Sequence, residues 1–297
     1  MTTGSTTPTG TKSTPDRPPP ALAPAEVETE IVRIGVRGGM VEAEVAGAGT
    51  AVVLLHGWAL DRRVWTPQIA PLSRRFRIVT VDRRGFGRST APPDLGAEID
   101  DLLIVRKKLG LERMILVGMS QAGRVALQFA LVHPDSVAGI VLHGAPLDGF
   151  LPGPRREDAI PLSSYVALAH AGQLDRMKSL WRSHALMRAA TPAARSCLDQ
   201  LLAGYQGRDL LAPQPAPLAS IAGRLEDIYA PALVVTGEHD TRWRQLVGDA
   251  LAYGLPHGRR AIVPGGEHLC NLTHPEEYNR LIESFAVRVE NDASVGA

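Results

Sequence analysis

The chain has 297 residues, with 32 Lys and Arg against 31 Asp and Glu and a formal net charge of +1, so its length suits one large domain, or one domain with an insertion, and its charge offers no footprint for nucleic acid or an anionic membrane. No run approaches the roughly 18 apolar residues a membrane span needs. The two cysteines, Cys197 and Cys270, are too far apart in sequence for a disulfide framework or a metal site, and a reduced, cytoplasmic setting is the default expectation.

Residues 1–25 are rich in Thr and Pro and lack bulky apolar side chains. They cannot offset their ordering entropy by burial and are expected to form a disordered tail. They also lack the apolar stretch of a secretion signal. EIVRIGVR and MVEAEVAG, on either side of Gly38-Gly39, read as a β-hairpin whose glycines take positive φ at the turn. Six short apolar runs follow: AVVLLH (51–56), FRIVTV (76–81), RMILVG (113–118), VAGIVL (137–142), ALVVT (232–236) and AIV (261–263). Each reads as a buried strand.

Helical patterns lie between most of these runs, such as Asp94 to Leu109 with Ile99, Leu102, Leu103 and Leu109 inward. The fold class is therefore α/β: a mostly parallel sheet entered through an N-terminal antiparallel hairpin, with helices on both faces. The stretch between VAGIVL and ALVVT breaks the alternation, because Ser163 to Arg188 and Thr191 to Gly204 read as helices. Residues 148–223 are thus expected to form an inserted helical cap, and residues 26–147 and 224–290 the core. In that cap Met177, Trp181, His184 and Met187 either line a pocket or simply pack.

Ligands of such sheets bind beyond the carboxyl ends of the strands, and polar residues gather there. Gly118-Met119-Ser120-Gln121-Ala122-Gly123 joins a strand to a helix whose apolar face carries Val125, Ala126, Phe129 and Ala130. Ser120 is either a nucleophile on a sharp turn or an ordinary turn residue. A serine hydroxyl needs a general base, and the base needs an orienting group. Of nine histidines, His268 sits on the loop after the last strand, whereas His133 and His257 fall elsewhere and His170 and His184 belong to the cap. Asp240 follows ALVVT, and the turn Gly237-Glu238-His239 lets its side chain swing back over the sheet. Glu238 and Asp148 are the rival acids. Acyl transfer also needs donors for an oxyanion, and the backbone N–H groups of Trp58, in His56-Gly57-Trp58, and of Gln121 can face one point. His56 itself reads as a structural hydrogen-bonding residue, and the turn Asp82 to Ser89 as a loop beside the site.

From about residue 30 to 287 the chain resembles an α/β-hydrolase fold enzyme with a helical cap, and is similar to the 3-oxoadipate enol-lactonase and carboxylesterase branch. HGWALD, DRRGFGRS, GMSQAG, GEHD and GGEHLCNLTHPEEYNRLIESF carry the resemblance. It implies Ser120 as nucleophile, Asp240 as acid, His268 as base, and Trp58 and Gln121 as oxyanion donors. It implies a small-molecule ester, lactone or thioester as substrate, and no metal or nucleotide cofactor. C–C bond hydrolysis, perhydrolysis, a lyase or cyclase step, or ligand sensing on the same fold are the competing functions. A serine rather than an aspartate at position 120 argues against the haloalkane dehalogenase and epoxide hydrolase branches. The sequence departs from the family at Ala122, where glycine is usual, at Glu267, immediately before His268, and at Thr241-Arg242-Trp243. Glu267 either favours the charged imidazole or points to solvent.

Overall fold

The computed structural model describes residues 1, 2, 4, 27–150, 158–213 and 218–295. Apart from residues 1, 2 and 4, the expected N-terminal tail lies outside them. Eight strands form one sheet in the order β1-β2-β4-β3-β5-β6-β7-β8. They are β1 (Thr29–Val36), β2 (Gly39–Ala46), β3 (Ala51–Leu55), β4 (Arg77–Asp82), β5 (Met114–Met119), β6 (Val137–His143), β7 (Ala232–Gly237) and β8 (Gly258–Val263). β1 and β2 pair antiparallel, as do β2 and β4, and every pairing from β4 through β3 to β8 is parallel. This is the expected α/β sheet with its N-terminal hairpin.

The hairpin needs one correction. Only Gly38 has positive φ, at 81°. Gly39 opens β2, and a Cβ there would lie 2.7 Å from the backbone nitrogen of Ala91. Its glycine serves a close backbone approach rather than a turn conformation.

Helices cover both faces because the strand residues divide between them. On β3, Val52 and Leu54 join one apolar cluster while Ala51, Val53 and Leu55 join the other, as the two-residue period of a strand requires. α2 (Ala97–Lys108), α3 (Ala122–Val132) and α8 (Arg242–Gly254) supply buried residues to the second cluster, and α10 (Pro275–Val295) to the first. α1 (Thr66–Leu72) and the short α9 (Cys270–Thr273) complete that side. Asn271 Nδ2 donates to the Val64 carbonyl at 2.9 Å, and Gln68 Nε2 to the Asn271 carbonyl at 3.0 Å, which anchors the chain just beyond His268.

Between β6 and β7 the described residues carry α4 (Leu162–His170), α5 (Leu174–Arg182), α6 (Pro192–Gly204) and α7 (Arg208–Leu211). The expected long helix from Ser163 is broken between α4 and α5, where Gly172 adopts φ 70°. Met177 and Trp181 of α5 share the first apolar cluster with Trp58, so the insert packs on the carboxyl end of the sheet. No helix among the described residues is long and apolar enough to cross a membrane.

Candidate active site

Ser120 stands directly after β5 with φ 49°. Among the described residues it and Ala59 are the only non-glycines in the left-handed region, a strain that the surrounding structure must hold in place. The Ser120 N–H donates to the His143 carbonyl at 2.7 Å, and its own carbonyl accepts from Gly123 N at 2.8 Å. The turn is tight at Gly118, where a Cβ would meet the Ala122 carbonyl oxygen at 2.7 Å, and at Gly123, where it would meet Ala145 Cβ at 2.3 Å. Ala122 itself is buried without needing glycine's space. That is why this departure from the family pattern is tolerated.

His268 and Asp240 meet at the neighbouring strand ends. His268 Nδ1 lies 2.9 Å from Asp240 Oδ2, and both residues are buried. An ionised carboxylate only accepts, so Nδ1 carries the proton and Nε2 is the basic nitrogen. Asp240 Oδ1 accepts from Thr241 N at 2.7 Å. Burial opposes the Asp240 charge, but the imidazole, Arg244 and the Thr241 N–H outweigh it, and the carboxyl titrates below the usual range. Glycines make room for this loop: a Cβ at Gly237 would sit 2.2 Å from the Gly266 carbonyl oxygen, and one at Gly144 2.6 Å from His268 Cε1. The rival acids have other partners. Asp148 makes a two-bond pair with Arg124, at 2.6 and 2.8 Å, and Glu238 accepts from Gly265 N. Glu267 is half-buried rather than solvent-facing, and its Oε2 has no hydrogen-bond partner among the described residues.

Two buried histidines brace the site from behind. His143 Nε2 donates to the His268 carbonyl at 2.9 Å, and His56 Nδ1 donates to the Gly57 carbonyl at 2.8 Å. Burial, with the charge of His268 beside His143 and of Arg83 beside His56, lowers both from an ordinary 6.5 to about 3. Between those values the unfolded chain binds a proton at each position and the native chain does not. Stability is therefore unaffected above 6.5 and falls on acidification towards 3, by up to about 1.4 kcal/mol per pH unit for each histidine. In urea melts from about pH 7 to about pH 4, His143→Asn should show a shallower decline than the parent, by nearly one proton.

The loop after β3 comes close to Ser120. A Cβ at Gly57 would lie 3.4 Å from Ser120 Cβ. Neither the Trp58 N–H nor the Gln121 N–H donates to any described residue. The Trp58 indole is fixed from the insert, donating to Asp209 Oδ2 at 2.6 Å and stacking on Tyr165 and against Trp181.

Ser120, His268, Trp58 and Gln121 line one cavity of about 330 Å³, and Asp240 stands behind His268. Of the insert residues singled out above, Trp181 and Met187 line it, whereas Met177 and His184 do not. Asp158 and Arg244, paired at 3.0 Å, also reach it, as does Trp243. Arg244 and Trp243 belong to, or follow directly on, the departure Thr241-Arg242-Trp243, which was the one sequence signal for them. Asp158 and Asp209 gave none. An adjoining cavity of about 410 Å³ shares Trp58, Gln121, Arg124 and Leu162. Among the described residues no group of three His, Cys, Asp or Glu side chains is placed to hold a metal ion.

The family model for the alpha/beta hydrolase fold matches residues 50–275. The chain is 30% identical over 245 residues to a protein of Rhizobium rhizogenes provisionally named carbamate hydrolase RutD, covering 79% of this chain and 91% of that one. It is 30% identical over 259 residues to the pimeloyl-acyl-carrier-protein methyl ester esterase of Yersinia enterocolitica, covering 82% and 95%. The solved enol-lactonase of Burkholderia xenovorans LB400 is similar in fold, with TM-score 0.71 at 20% identity, over 86% of this chain and 100% of that one. Its sheet, the span of the family match and the identity to these relatives together establish that the chain belongs to the α/β-hydrolase fold family.

Proposed function

We propose that the chain is a cofactor-independent serine hydrolase that cleaves a carboxylic ester, lactone or thioester through an acyl-enzyme. The observation that carries this reading is the buried His268–Asp240 pair at the wall of the cavity that Ser120 lines. His268 Nε2 takes the Ser120 hydroxyl proton as Oγ adds to the substrate carbonyl, and the Trp58 and Gln121 N–H groups receive the resulting oxyanion. Collapse of that adduct breaks the bond to the leaving group, which takes the proton from His268. Water then adds to the acyl-enzyme with its proton passing to Nε2, and release of the acid returns that proton to Ser120. Asp240 holds the imidazole in the required tautomer throughout.

Residues 148–223 act as the cap in this reading, and residues 26–147 and 224–290 as the core. The cavity wall of Trp181, Leu186, Met187 and Ile160 suits an apolar group on one side of the scissile bond. The names of the similar proteins, an esterase and a carbamate hydrolase, lie in the same carbonyl chemistry. The test is a panel of nitrophenyl esters, lactones and thioesters, with product analysis and rapid-mixing kinetics. At least one class should give a burst of leaving group followed by steady turnover to the free acid. No turnover with any class, or products of C–C cleavage or elimination, would overturn the assignment.

A further inference from the structure

Arg83 stands in the turn after β4, beside the site, and its side chain is only 1% exposed. One edge of its guanidinium is held by Glu98 of α2, with Nε to Oε2 at 2.7 Å and Nη2 to Oε1 at 2.9 Å. The other edge makes three more bonds. Nη1 donates to the His56 carbonyl at 2.9 Å, and Nη1 and Nη2 donate to Gln121 Oε1 at 3.1 and 3.2 Å. The backbone N–H of Arg83 adds a bond to His56 Nε2 at 3.1 Å.

One planar fork therefore joins the residue that leads into Gly57-Trp58 to the residue that follows Ser120. Those are the two segments whose N–H groups are assigned above to the oxyanion. Its neighbour Arg84 makes an equally buried pair with Asp101, but its remaining bonds go to the carbonyls of Pro92 and Arg37, away from Ser120. A buried ion pair is a weak source of stability because desolvating both charges is costly. Positional accuracy is a different matter, since oxyanion donors act only within a few tenths of an ångström of their target distance. Glu98 neutralises the guanidinium at contact distance, so what Arg83 supplies to the site is geometry.

We propose that Arg83, clamped by Glu98, is a positioning residue that sets the spacing between the Trp58 and Gln121 N–H groups. This rests on the acyl-transfer reading and deepens it. Lysine keeps the charge but loses the fork. Gln121→Met removes the side-chain acceptor while leaving the Gln121 backbone N–H and the Arg83–Glu98 pair in place, and so serves as a second variant should Arg83→Lys fail to fold.

The experiment measures kcat and KM on a nitrophenyl ester, the inhibition constant of a trifluoromethyl ketone whose hemiketal oxygen mimics the oxyanion, and the melting temperature. Both variants should lose kcat and ketone affinity in parallel, by about 10-fold to 100-fold, with KM nearly unchanged. Gln121→Met should fold and melt somewhat below the parent, because two guanidinium N–H groups lose their acceptor. The double variant should be no worse than Arg83→Lys alone, because both changes cut one link. Unchanged kcat in Gln121→Met, a loss confined to KM or melting temperature, or additive losses in the double variant would overturn the proposal while leaving the hydrolase reading intact. A parent protein that turns over none of the esters, lactones and thioesters of the panel and binds no ketone would overturn both.

Discussion

Ser120→Ala is expected to fold as the parent does and to lose turnover by roughly six orders of magnitude. The fold is spared because alanine can occupy the same left-handed conformation, φ 49°, at a cost close to that of serine, and because the bonds that hold this turn come from the Ser120 backbone to His143 and Gly123. Activity is not spared, since His268 and Asp240 remain in place with no hydroxyl to activate. Groups that act as one unit fail together, so His268→Ala should be nearly as damaging, and the double variant little worse than either. Ester turnover and thermal unfolding on the same samples check this. Loss of activity accompanied by a large drop in melting temperature would assign Ser120 a structural role instead.

Asp240→Asn should lower turnover by about 10 000-fold while leaving the fold in place. The carboxylate accepts from both His268 Nδ1 and Thr241 N, whereas an amide can turn its NH₂ towards the ring and stabilise the tautomer with the proton on Nε2. That tautomer cannot accept the Ser120 proton. Because the Asp240 carboxyl titrates below its ordinary 3.8, the stability that its ionised form contributes is complete above that value. It is lost only as the pH falls through the lower native value. Asp240 should therefore add nothing to any loss of activity between neutrality and mild acid. A turnover only a few-fold below the parent in Asp240→Asn would contradict its assigned role.

The positions of Ser120, Asp240 and His268 were legible because parallel strands put their carboxyl ends side by side. A polar residue just past a strand in the sequence is then a neighbour of the one past the next strand in space. Apolar runs fixed the strands, and the strands fixed the rim. Asp240, and not Asp148 or Glu238, reaches His268 because the turn after β7 folds back over the sheet, whereas Asp148 is drawn away by Arg124.

What was hidden depends on docking between segments distant in sequence. Nothing in the pattern around Asp209 announces that it will hold the Trp58 indole, or around Asp158 that it will meet Arg244. In sequence Arg83 belongs to the turn Asp82 to Ser89, which reads only as a loop beside the site. Its bonds to His56, Glu98 and Gln121 appear only once β4, α2 and the turn after β5 are assembled. Gly38 takes the expected positive φ, but Gly39 serves a different end for a related reason. A Cβ at Gly39 is blocked by Ala91, far along the chain, and not by the turn beside it.

Labelling the native protein with a fluorophosphonate and locating the adduct by peptide mass analysis identifies the nucleophile. Ser120 as the nucleophile predicts a single adduct there, formed in step with loss of esterase activity and much more slowly in His268→Ala. An adduct on another residue, or full ester turnover by protein whose Ser120 stays unmodified, would contradict it.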